Sequence, residues 1–243
     1  MDFELHPWAW SPNEPFLGYQ GLNPLNDQVQ CVFLGKDANF PTDEELNANG
    51  RARFLLRQYL NTPQDFFLEN QNIHHPFRHI NWHMPGHDGG RYHEKLERVL
   101  QIVAGPNQPI QPSNISILEL LQRPTIGNSG RCSLFKQAVA GQTPQPNTQA
   151  THLGVINKVL CTPSKRVCVF KGFGGLWRAF TKTQREIIRQ NAPALAALGE
   201  WFGNREVLGH PPEPIQAQVF VHTHFSWMIS NAEIQAIAQF VGG

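Results

Sequence analysis

The sequence predicts a three-layer α/β/α domain built on a short, mostly parallel, four-stranded sheet. Four short apolar runs, Val29–Leu34, Ile115–Leu118, Val167–Phe170 and Ala217–Val221, read as strands buried on both faces. Stretches with helical spacing lie between them, and that alternation is the pattern of a parallel α/β sheet. The strand signals span nearly the whole chain of 243 residues, so one domain over 1–243 is expected, with ample length to bury a core.

Each element has its own reason. After the first strand, Thr42-Asp43-Glu44-Glu45 is a capped acidic first turn that opens a helix running through Phe54-Leu55-Leu56 toward Leu60. A second helix starts near Arg91 and carries Tyr92, Leu96, Val99 and Val103 on one face. Thr151–Leu160 is a third, ending before Cys161-Thr162-Pro163. A fourth, Thr183–Leu198, contains Pro193, which lacks the donor a helix interior needs, so a kink or split is expected there. Residues 61–90, rich in His, Pro and Gly, form a loop too long for a plain connection, and residues 141–150 read as a polar linker or exposed loop.

Composition excludes several classes. With 16% charged residues and a formal charge of +1, the chain is neither a disordered polyelectrolyte nor a cationic coat for nucleic acid. Near neutrality leaves room for a local basic face. No apolar run reaches membrane-spanning length, and the start, Met1 to His6, is acidic where a signal peptide would be basic and then apolar. A cytoplasmic protein that does not enter a membrane is expected. The four cysteines, Cys31, Cys132, Cys161 and Cys168, form no closely spaced pair, and Cys31 and Cys168 fall inside apolar strands, so buried thiols are expected rather than disulfides.

Ligands of open parallel sheets bind beyond the carboxyl ends of the strands, so the residues after each run carry the functional reading. The first run leads into Gly35-Lys36-Asp37-Ala38-Asn39-Phe40 and the second into Glu119. The third leads into Lys171-Gly172-Phe173-Gly174-Gly175, and the fourth into His222-Thr223-His224-Phe225-Ser226. Each polar residue alone has an ordinary explanation as a turn, a cap or a satisfied core histidine. Four strands ending together on titratable or glycine-rich elements point to a site.

These residues resemble the uracil-DNA glycosylase superfamily. Val32 to Phe40 looks like its first motif, a strand running into Gly-Gln-Asp-Pro-Tyr-His, and His222 to Ser226 is similar to its second, His-Pro-Ser-Pro-Leu-Ser. Ile115 to Glu119 resembles the strand ending in a base-reading Asn, and Val167 to Gly172 the strand ending in Trp-Gly. The resemblance covers residues 29–231 in order and spacing, with low motif identity. It implies a DNA glycosylase of base-excision repair, a hydrolase of N-glycosidic bonds that needs no cofactor and no metal, acting on DNA, with a monomer expected. Asp37 would activate water and His222 would stabilise the departing base, a carboxylate and a donor on opposite sides of the breaking bond. Gly35, Lys36, Asn39, Phe40, Phe54 and Glu119 would surround the flipped base. His224 and Ser226 would contact DNA.

The departures from the motifs bear on specificity. Lys36 replaces Gln, Ala38 replaces Pro, and Asn39 replaces the Tyr that excludes a C5 methyl, so the pocket should be larger. Lys36 reads as a phosphate or Asp37 contact, with Schiff-base chemistry at the sugar as the alternative. Glu119 replaces the Asn amide and, when ionised, only accepts hydrogen bonds, so strict uracil specificity is not expected. Relatives that carry an iron–sulfur cluster hold it on four cysteines, a spacing this chain does not match.

Outside the motifs, Arg78, Arg91 and the Gly89-Gly90 backbone suit DNA phosphates. Lys171, in a basic stretch from Lys158 to Arg185 interleaved with Phe170, Phe173, Trp177 and Phe180, also reads as a DNA contact, because the glycines after it let backbone approach a ligand. Two other functions compete: a DNA-binding module on the same fold without chemistry, and a metal-dependent hydrolase built on His74, His75, His79, His83, His87 and Asp88.

Overall fold

The structure is a computed structural model, and it describes residues 4–5, 19–21, 23–36, 89–106, 114–121, 125–126, 133–142, 149–203, 210–225 and 228–243. Its central sheet contains β2 (Tyr19–Gly21), β3 (Cys31–Gly35), β4 (Ile115–Glu119), β6 (Arg166–Phe170) and β7 (Gln218–His222) in the order β2-β4-β3-β6-β7. β4, β3, β6 and β7 run parallel, and these are the four strands expected from the apolar runs. β2 is an addition, an antiparallel edge strand on β4. Three residues are too few to show a periodicity, so nothing in the sequence marks it. β1 (Glu4–Leu5) pairs with β5 (Thr125–Ile126) as a separate antiparallel pair.

Alternation along the strands splits the interior in two. Val32, Leu34, Leu118, Val167 and Val169 join one apolar cluster, and Cys31, Phe33, Ile115, Ile117 and Cys168 join the other. The first cluster is closed by α3 (Gln149–Leu160), α4 (Phe173–Ala179), α5 (Lys182–Asn191) and α6 (Pro193–Gly203). The second is closed by α1 (Gly89–Ala104) and α7 (Asn231–Gly242), which pack on each other. The remaining described helix, α2 (Ser133–Val139), contributes Ala138 and Val139 to the first cluster. No helix among the described residues is long and apolar enough to cross a membrane.

Local chemistry explains the helix boundaries. The expected fourth helix is two helices: α5 ends at Asn191 and Pro193 is the first residue of α6, where a missing backbone donor costs nothing. The Asn157 side chain accepts from Ala194 N at 2.8 Å and caps the new helix. α5 starts one residue before Thr183, because Thr181 and Gln184 form a reciprocal capping box. α1 stops at Gly105, which takes φ +86°, followed by Pro106. Most of residues 141–150 lie outside the described residues, but Gln149 is no linker residue; it is buried in α3 and donates to Leu120 O at 2.8 Å. The helix expected over 42–60 lies outside the described residues.

Candidate site at the carboxyl edge of the sheet

The registers align the strand ends. Gly35 is the cross-strand partner of Glu119, Leu34 that of Val169, and Phe170 that of His222, so Glu119, Gly35, Phe170 and His222 form one row across β4, β3, β6 and β7. With strands spaced about 4.8 Å apart, the outer members of the row stand roughly 14 Å from each other. Strand order adds a second constraint. From β3 the chain crosses to β4 on one side and later returns to β6 on the other, which makes the gap between β3 and β6 a topological switch point. Lys36 follows β3 at that gap and Lys171 follows β6.

Side-chain alternation puts Glu119, Gly35 and His222 on the face of Phe33. Ile115 and Ile117 precede Glu119 on that face, and Phe220 precedes His222 there. The Glu119 carboxylate takes the space that a side chain at position 35 would occupy; a Cβ there would overlap Oε2 and come within 2.7 Å of Cδ. Gly35 is thus required by Glu119. Phe170 leaves the alternation: its ring packs in the opposite cluster, edge-on to Phe173 at 6.1 Å and to His224 at 5.5 Å.

His222 is 2% exposed and lies in an aromatic nest. Its ring centroid is 4.8 Å from that of Phe225 and 6.2 Å from that of Phe33, both fully buried. Nδ1 is 2.8 Å from the carbonyl oxygen of Thr223, and because a carbonyl only accepts, Nδ1 carries the proton. Burial lowers the pKa of the ring, outweighing the Thr223 bond and the Glu233 charge that raise it, so the ring is neutral at pH 7. Nε2 in this tautomer is an acceptor.

Glu233, in the first turn of α7, is the residue that sequence reasoning missed. Its carboxylate accepts from Thr223 N at 2.6 Å, from Thr223 Oγ1 at 3.0 Å and from Lys171 Nζ at 3.2 Å. Burial pushes its pKa up, but the Thr223 and Lys171 bonds prevail and hold it below the usual carboxylate value. Ser230-x-x-Glu233 is the sequence signal that could have found this helix start, and Ser230 does accept from Glu233 N at 3.1 Å. From the other side of the face, Lys95 of α1 donates to the carbonyl of Phe225.

A second buried histidine stands by the same edge. His152, 3% exposed on α3, donates from Nε2 to the backbone carbonyl of Glu119 at 2.6 Å. Burial lowers its pKa to about 4, against the raising effect of that bond, and it serves as a structural tie.

The structure sorts the sequence-derived site residues. It brings Gly35, Glu119 and His222 onto one face of one row, with Lys36, Lys171 and His224 at the same edge. Asp37, Asn39, Phe40, Phe54, Arg78 and Ser226 lie outside the described residues, as does the histidine-rich segment through Asp88; Arg91 is placed in α1 by its backbone alone. The glycines after Lys171 open α4; a Cβ on Gly174 would come within 2.5 Å of the Phe202 carbonyl oxygen, so Gly174 serves the packing of α4 on α6, whereas a Cβ on Gly175 would meet nothing within 4 Å. Phe170, Phe173, Trp177 and Phe180 are buried core. Cys31 and Cys168 are buried thiols with sulfurs 3.9 Å apart, and Cys161 is a free thiol. Among the described residues no cluster of His, Cys, Asp or Glu could hold a metal ion.

No family model, no curated protein and no solved structure matches the chain.

Proposed function

We propose that the protein is a DNA glycosylase-like hydrolase that removes a damaged or modified base from DNA, without strict preference for uracil. The observation that carries this reading is the row of strand ends, which sets Glu119 and His222 on one face beside the switch point that Lys36 and Lys171 flank. Asp37, immediately after Lys36, would orient water toward the sugar carbon, while Glu119 and His222 contact the extruded base. Lys36, Lys171 and His224 would meet phosphates or the groove. A monomer acting in the cytoplasm on DNA completes the proposal.

The test is a panel of duplexes, each with one modified base, read by cleavage at the abasic product. Excision should appear on at least one duplex, and Asp37→Asn should lower it by about two orders of magnitude while leaving DNA binding nearly intact. An unchanged rate in that variant would remove Asp37 from the mechanism. Retained DNA binding with no excision on any duplex would favour a binding module without chemistry. A specific observation favours that second reading: the Glu119 carboxylate already takes the space beside Gly35.

A further inference from the structure

The chain of contacts from α7 to β7 ends on an acceptor without a partner among the described residues. Glu233 holds Thr223 by both its backbone N–H and its hydroxyl, the Thr223 carbonyl receives Nδ1–H of His222, and Nε2 of that buried ring has no hydrogen-bond partner among the described residues. A buried polar atom left without a partner costs free energy unless something supplies one. Aromatic rings on two sides, Phe33 and Phe225, hold the imidazole plane.

We propose that Glu233 is a positioning residue that, through Thr223, holds His222 as its Nδ1–H tautomer, so that Nε2 accepts a hydrogen bond from an N–H donor of the ligand. The ligand class rests on the glycosylase reading: a nucleobase presenting an exocyclic amine or a ring N–H to this face. Glu119 shares the face at the other end of the row. A neutral ring in this tautomer has no proton to offer at Nε2. Stabilising a departing base anion from that atom would require the imidazolium, which the burial of the ring opposes. His222 thereby becomes a determinant of which base is held.

Among the described residues, Glu233 and Lys171 act on His222 across Thr223, Lys95 reaches the carbonyl of Phe225 from α1, and Glu119 lies on the same face. Glu233→Ala removes the hold on Thr223; Glu233→Gln keeps an acceptor for Thr223 N–H without the charge; Lys171→Met removes the cation and leaves the Glu233–Thr223 bonds.

Nitrogen-15 NMR of the full chain at neutral pH, without ligand, reads the tautomer directly. The expected result is Nδ1–H in the unmodified protein and in Lys171→Met, a mixture of tautomers in Glu233→Ala, and recovery of Nδ1–H in Glu233→Gln. Nε2–H in the unmodified protein would overturn the proposal, and so would an unaltered tautomer in Glu233→Ala. Circular dichroism of each variant separates loss of the tautomer from loss of the fold, and a Glu233→Ala chain that fails to fold leaves the decision to the unmodified protein and Glu233→Gln, where Nε2–H in either overturns it. Absence of excision on the whole duplex panel, with the tautomer pattern as expected, would refute the glycosylase reading alone.

Discussion

At the edge where the strands begin, Lys165 donates to the carbonyls of Asn26 and Val29, and Arg166 donates to the carbonyl of Val241 at the end of α7. At the edge where they finish, Lys171 meets the Glu233 carboxylate and the Thr223 hydroxyl, and two titratable side chains, Glu119 and His222, are buried in one row. The same residue types therefore do different work. Backbone carbonyls bound by a buried cation are a fixed structural tie, since neither partner can be traded for a ligand without leaving an unsatisfied group. Side chains bound to side chains can exchange partners, and an acceptor with no partner among the described residues invites one. A basic stretch read along the sequence mixes these two uses, because Lys165 and Lys171 are six positions apart and sit at opposite ends of β6.

Breaking the tie at the first edge should have the largest effect. Lys165→Met deletes two charge-assisted hydrogen bonds and strands the Val29 carbonyl, while that of Asn26 keeps its bond from Val29 N–H, a loss of about 3–5 kcal/mol, which urea unfolding would register. A variant as stable as the parent would mean that the two edges are not different in kind.

Next comes acid sensitivity, which sharpens the contrast between the two buried histidines. The folded pKa of His152 is lowered from 6.5 to about 4, so the unfolded chain takes up the proton first. Stability is fully present above pH 6.5 and falls as the pH drops toward 4, by on the order of 3 kcal/mol in total. The lowered pKa of His222 acts in the same direction. His152→Gln, which can still donate to the Glu119 carbonyl, should flatten much of that slope in unfolding measured at neutral and acid pH. A slope of undiminished size would place the acid-sensitive group elsewhere.

Glu119→Asn exchanges an acceptor-only group for one that also donates, and should shift excision toward uracil by about 1–3 kcal/mol in relative initial rates. Robust uracil excision by the unmodified protein, equal to every other base in the panel, would remove Glu119 from base reading. The smallest effect belongs to Lys171→Met. Its side chain is 61% exposed, and an ion pair of that kind contributes under about 1 kcal/mol, so the melting temperature should hardly move. A large drop would make Lys171 a structural tie like Lys165.

Much of the sheet was legible because its parallel strands are short apolar runs; β3, β4 and β6 are buried as expected, whereas β7, at the edge of the sheet, is only half-buried. Pro193 marked the junction of two helices for an equally local reason. β2, α2, α4 and α7 were not foreseen: β2 is too short for a pattern, whereas α7 carries both Ser230-x-x-Glu233 and the helical spacing of Ile234, Ile237, Ala238 and Val241. The role of Gly174 was not legible, because a glycine that admits a neighbouring helix and one that admits a ligand are the same letter. Of the site, the strand-end residues were readable as candidates, whereas Glu233 was not, since its partners Thr223 and Lys171 lie 10 and 62 positions away.

The sequence by itself determined the four parallel strands, their separation by helices and the polar character of their ends, because apolar runs and the two-residue period are properties of a segment and its solvent. Only the tertiary structure decided that Glu119, Gly35, Phe170 and His222 fall in one row, and that β3 and β6 flank the switch point. It also decided which nitrogen of His222 holds the proton. Register and strand order depend on pairing between segments up to 137 positions apart, as the Cys31–Cys168 contact shows, and a tautomer depends on one carbonyl placed within hydrogen-bonding distance; neither is a property that any single stretch of sequence carries.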